Sequence, residues 1–254
     1  MNANDLPEYV HRLIRPRLAL RTERLSATDS IVGVWGGEGV VPLPLGAGSR
    51  TAEEYAKWGR DPEEDEPRHW LSVDCEWLGR NGYGLSGCLS VYELAHPNHC
   101  YVAVTDARRV DWARVESGTP LFGQEEQELP TEHVLDAYLT NEEKESIGWC
   151  GRNIAPSLEE YFHTAFMAGP LNQNWAAVLG GWHIHWPDGP PDLPKLRELN
   201  ERIQKAHGPG CFPEREMFRC EPYRLVLWTL RDCEPWLEVW GDDSGELHVV
   251  PRIS

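Results

Sequence analysis

Apolar and polar positions alternate in short blocks, and the clearest blocks gather toward the two ends of the chain. In His69–Leu78, Leu71, Val73, Cys75 and Trp77 fall on one side and Trp70, Ser72, Asp74 and Glu76 on the other. A turn at Gly79-Arg80-Asn81-Gly82 leads to Leu85–Leu94, and Tyr101–Thr105 forms a further block. Period two is the signature of a half-buried strand, so this run predicts an antiparallel meander with one wet face. Near the C-terminus, Tyr223–Leu230 is apolar on both sides, as a covered strand must be. Trp236–Trp240 and Glu246–Ile253 flank Gly241-Asp242-Asp243-Ser244-Gly245, a strong hairpin signal. Ile31–Trp35 adds a strand that runs into Gly36-Gly37-Glu38-Gly39. That loop has no Lys and no helix after it, so it reads as a turn rather than a phosphate cradle.

The apolar stretch Trp175–Asp188 stands apart from these blocks. Ala177–Trp186 reads as a strand in which Trp182, Ile184 and Trp186 share one face and His183 and His185 the other. Its Gly180-Gly181 pair marks a bulge or a close approach of another group to the backbone. Helical signals fill the middle: Val110–Val115, Thr131–Leu139, Glu142–Gly148, and Ser157–Ala168 with Ser157 and Glu160 at capping-box spacing. Asp5–Arg15 and Asp192–His207 are further amphipathic helix candidates. The pattern predicts a single α+β domain over 1–254. Antiparallel meanders from the N- and C-terminal parts form a sheet core, and a helical insertion of roughly 110–170 covers one face.

Composition narrows the function classes. The net charge of −17 argues against non-specific binding to nucleic acid or to an anionic membrane, since both need a cationic surface. No run reaches the roughly 20 apolar residues of a membrane helix. Seven cysteines without CxxC spacing predict reduced thiols in a cytoplasmic setting, with Cys75 and Cys88 buried within strand patterns. Twelve tryptophans supply large buried surfaces, and each indole N–H wants a partner.

Candidate chemistry is sparse. His183 and His185 lie two apart on one strand face, roughly 6–7 Å apart at the backbone, a spacing that suits two ligands of one zinc-like divalent ion. A third ligand would come from Glu238, Asp188, Asp74 or Glu76. Trp236 and Trp240 flank Glu238 on one strand face, a pattern able to stack on a sugar, hold a cation or anchor a protein. Cys150 sits in a Gly-flanked setting that could expose a thiol. Nucleophile-elbow, Walker and HExxH motifs are missing. The leading expectation is a non-catalytic, cofactor-free acidic binding protein for a basic partner, in the manner of an immunity or inhibitor protein. The alternative is a metal-dependent hydrolase built on His183 and His185.

Overall fold

The computed structural model describes residues 7–43, 67–94, 100–130, 132–149, 175–182, 193–207, 223–231 and 234–251. Its centre is one antiparallel sheet of ten strands. In chain order these are β1 (Arg15–Arg21), β2 (Ile31–Trp35), β3 (Arg68–Asp74), β4 (Cys88–Leu94), β5 (Cys100–Asp106), β6 (Thr119–Glu128), β7 (Trp175–Gly180), β8 (Arg224–Arg231), β9 (Glu234–Gly241) and β10 (Leu247–Pro251). Their spatial order is β10-β9-β8-β7-β1-β6-β2-β3-β4-β5. The outer strands β10 and β5 come together, so the sheet is a nearly closed barrel.

This corrects the expected α+β layering, in which helices cover one face of a sheet. Curling removes most of the exposed sheet edge that such a cover would protect. Two strands that the pattern did not predict make the closure possible. β1 follows directly on the N-terminal helix and lies between β6 and β7. β6 occupies part of the region expected to be a helical insertion, pairing with β1 on one side and β2 on the other.

The barrel interior is filled. Leu18, Leu20, Leu71, Val73, Leu89, Val91, Leu121, Ala177, Leu179, Leu227, Leu237 and Val239 are all buried in one cluster. A short helix, α2 (Glu76–Arg80), adds Trp77 and Leu78 to that cluster. The expected strand through Leu78 therefore ends at Asp74. There the Asp74 Oδ1 accepts the Glu76 amide at 2.7 Å, a local turn that starts the helix. Asp74 and Glu76 consequently do not share a strand face.

Helices among the described residues sit beside the barrel. α1 (Glu8–His11) and α3 (Glu132–Tyr138) contribute to a separate small core of Val10, Leu13, Leu129, Leu135, Leu139, Trp149 and Trp182, beside which α4 (Asn141–Ser146) buries no side chain of its own. Thr140 and Glu143 cap α4 reciprocally. α5 (Pro194–His207) presents Leu196, after Leu193, to the outer-wall residues Trp175, Val178, Leu225, Trp228 and Trp240. A single 3-10 turn at Trp112–Arg114 packs Trp112 with Val34, Val41 and Cys88 on the opposite wall. Among the described residues no helix is long and apolar enough to cross a membrane. The helix expected over Ser157–Ala168 lies outside the described residues.

Candidate functional site

The sequence pointed to Trp175–Asp188, and its described half crosses the barrel wall as β7, between β1 and β8, and ends at one rim. β7 stops at Gly180, short of the strand end expected at Trp186. Gly180 and Gly181 both adopt the left-handed region, with φ of 66° and 80°. A side chain on Gly180 would meet the Tyr83 hydroxyl at 2.7 Å and the Trp77 ring at 2.9 Å. One on Gly181 would meet the Glu128 carboxylate at 2.5 Å. The glycine pair thus does what its composition suggested: it lets other groups reach the backbone. Trp182 then turns into the small helical core, where its indole N–H donates to the Leu13 carbonyl at 2.7 Å. His183, His185 and Asp188 lie outside the described residues.

Charged and aromatic groups gather at this rim because β1 brings them between β6 and β7. Arg17 donates to Glu126 at 2.9 Å and also to Glu128. The Arg17 guanidinium stacks 4.5 Å from the Trp175 ring, and Arg15 lies 3.5 Å over Trp182. Glu128 Oε2 accepts the backbone N–H of Trp182 at 2.9 Å. Burial pushes the Glu128 carboxyl up, against the pull of Arg17 and the Trp182 amide. Sequence reasoning missed this cluster. Its arginines and glutamates stand more than a hundred positions apart, and only strand pairing joins them.

The second predicted group, Trp236, Glu238 and Trp240, lies on β9. Glu238 and Trp240 are 2% and 1% exposed, and the Trp240 indole donates to Glu238 at 2.9 Å. Both sit on the barrel wall beneath α5. Of the other proposed third ligands, Asp74 uses its second oxygen to accept the Trp112 indole N–H at 3.2 Å, and Glu76 is exposed in the first turn of α2.

At the β9–β10 hairpin, Asp242, Glu246 and His248 place ligating atoms within 4.8 Å of one another. Asp242 Oδ1 accepts the Ser244 amide and hydroxyl at 2.9 and 2.5 Å and the Glu246 amide at 3.1 Å. These bonds, the Ser244 hydroxyl foremost, hold the Asp242 carboxyl down to about 2. Its Oδ2 faces His248 Nε2 and the Lys195 ammonium, each at 3.8 Å. A divalent cation there would meet the lysine charge, so the group reads as the lock of a hairpin.

A third polar group is sealed. His69, Ser72 and Ser90 are buried on β3 and β4 beneath residues 36–43. His69 Nε2 lies 2.8 Å from Ser72 Oγ, which lies 2.5 Å from Ser90 Oγ. A histidine beside a serine suggests a nucleophile pair, but Ser72 is 0% exposed and offers no path to a substrate. Cys75 and Cys88 are free thiols, buried as expected, and burial pushes each up to about 12. Cys150 lies outside the described residues. No family model matches the chain, and neither a curated protein nor a solved structure matches it.

Proposed function

We propose that the chain is a non-catalytic binding protein that receives a basic partner on an acidic outer surface, in the manner of an immunity or inhibitor protein. The observation that carries this reading is the chain's net charge of −17 together with a barrel interior filled with side chains. A packed interior houses no small-molecule site among the described residues, so recognition falls to the outside. Part of that outside is acidic without a competing role. Glu142 and Glu145 on α4 are exposed. Unlike Glu126 and Glu128, they hold no strand in place. Opposite charge on a partner would speed encounter and set register more than it would add raw affinity.

The test is affinity capture with the full chain from cells that make it, at about 0.15 M and about 1 M salt, where the screening length drops from about 8 to about 3 Å. The expected result is a basic protein retained at low salt and released at high salt. Changing Glu142 and Glu145 together to Gln should weaken retention while leaving the fold intact. Capture of no basic protein, or capture unaffected by those changes, rejects the reading.

A second reading, a metal-dependent hydrolase using His183 and His185, draws support from Glu128. That carboxylate is bonded to the amide of Trp182, the residue before His183. Two histidines and a carboxylate fit zinc chemistry, in which the ion lowers the pKa of a bound water. About one equivalent of metal in untagged protein, lost in the His183→Ala/His185→Ala variant without unfolding, would favour it. Metal-free wild-type protein removes it.

A further inference from the structure

We propose that His69 is a protonation-operated latch: its neutral ring closes a hydrogen-bond chain that holds the segment 36–43 on the outer wall of β3 and β4, and its protonation releases that segment.

The segment 36–43 has no ladder of its own. Its attachments are single bonds made mostly by side chains of the barrel. The Glu38 amide donates to Ser117 Oγ at 2.8 Å, Val40 to Ser72 Oγ at 3.4 Å, and Val41 to Ser90 Oγ at 3.2 Å. The Tyr92 hydroxyl donates to the Val41 carbonyl, and one strand-type bond runs from the Gly36 amide to the Trp70 carbonyl at 2.8 Å. A side chain on Gly39 would overlap the Tyr92 hydroxyl, so the segment lies directly on that ring.

The chemistry of the partners fixes every proton in the chain. His69 Nδ1 lies 2.9 Å from the Gly36 carbonyl, which can only accept, so Nδ1 carries hydrogen. In the neutral ring Nε2 then accepts, and the Ser72 hydroxyl donates to it. Ser72 has spent its proton, so Ser90 donates to Ser72, and the Val41 amide donates to Ser90. The chain starts at Val41, crosses two strands and ends at Gly36. Both ends are in the segment it holds. Protonated His69 has two donors and no acceptor. Ser72 would have to turn round and donate to Ser90, whose hydrogen would be left with only the weak sulfur acceptor of Cys88 in a buried site.

Nothing charged offsets that conversion. The ring facing His69 is Tyr92 of β4, with centroids 5.3 Å apart. Glu38 of the segment and Arg68 of β3 are exposed, and Asp74 at the far end of β3 is taken by Trp112. Cys88 of β4 is a neutral thiol. Burial of the ring accordingly depresses its pKa below 6.5.

The test is an NMR titration of the His69 ring in the full chain, with amide exchange of Val40 and Val41 followed between pH 7.5 and 5 and corrected for intrinsic chemistry. The latch predicts titration below 6.5. It also predicts protection that falls up to about tenfold per pH unit below that point, the slope of one linked proton. Val178 in β7 should keep its protection. In His69→Gln the protection of Val40 and Val41 should no longer vary with pH. Titration at or above 6.5, flat protection in the wild type, or the same slope in His69→Gln overturns the proposal. Should the variant fail to fold, the wild-type titration and exchange decide the matter alone.

Discussion

Two polar clusters, one half-buried and one buried, hold this barrel's attachments, and they do so by opposite means. The rim cluster of Arg17, Glu126 and Glu128 uses charge and joins strands distant in sequence. The wall cluster of His69, Ser72 and Ser90 uses neutral groups and joins a loop to adjacent strands. Their responses to acid differ in sign. The His69 pKa is depressed on folding, so its contribution is present above about 6.5 and is lost as pH falls through the folded value. The Glu128 pKa is raised on folding, so the folded state takes up its proton first, and stability rises as pH falls through the folded value toward 4.5. A neutral chain therefore gives a local release that acid triggers, and the Glu128 carboxylate responds in the opposite sense.

The largest break in this comparison should come from Trp182→Ala at the rim. It empties the centre of the small helical core and removes the indole bond to Leu13. We expect a loss of about 3–5 kcal/mol in denaturant unfolding. A loss below about 1 kcal/mol would mean that the helices stand without it.

On the wall, Gly39→Ala drives a methyl group into the Tyr92 hydroxyl. The expected cost is about 1–3 kcal/mol, with lost amide protection confined to 36–43. An unchanged exchange pattern would show that the segment has room to spare.

His69→Ala should cost about 1–3 kcal/mol at pH 7.5, since it strands the Gly36 carbonyl and the Ser72 hydroxyl. The wild type should lose stability between pH 6.5 and 5.5, and the variant should lose less over the same interval. Parallel pH curves for the two proteins would remove His69 from the account.

The smallest effect belongs to Arg12→Ala, which removes an ion pair to Glu143 at 2.8 Å with Arg12 half in solvent. We expect less than about 1 kcal/mol, fading further in high salt. A larger, salt-resistant loss would place the N-terminal helix among the main supports of the fold.

Local pattern sufficed for much of the barrel. The alternation of Leu71 and Val73, Leu89 and Val91, and Val102 and Val104 declared β3, β4 and β5, which pair in order, although the β3–β4 link carries the helix α2. The Asp242–Gly245 turn declared β9 and β10, and helix α5 appeared at its expected place. Gly180 and Gly181 announced a close approach without naming the groups that make it.

What the sequence determined by itself was most elements whose partners are their neighbours, because period, turn chemistry and caps act over a few residues; the short helix α2, read as strand, is the exception. What only the tertiary structure decided was β1 and β6. Arg15-Pro16-Arg17 does not read as the centre of a sheet, and Thr119–Glu128 carries too many acids. Pairing resolves both. β7 ends opposite Arg17, so Pro16 has β6 alone beside it and leaves no gap in a second ladder. The outward Glu126 and Glu128 lie across from Arg17 and Arg15, charges that are awkward alone and satisfied together. The latch is the same lesson on a smaller scale. His69, Ser72 and Ser90 are ordinary strand residues until the Gly36–Val41 segment folds over them and seals them from water.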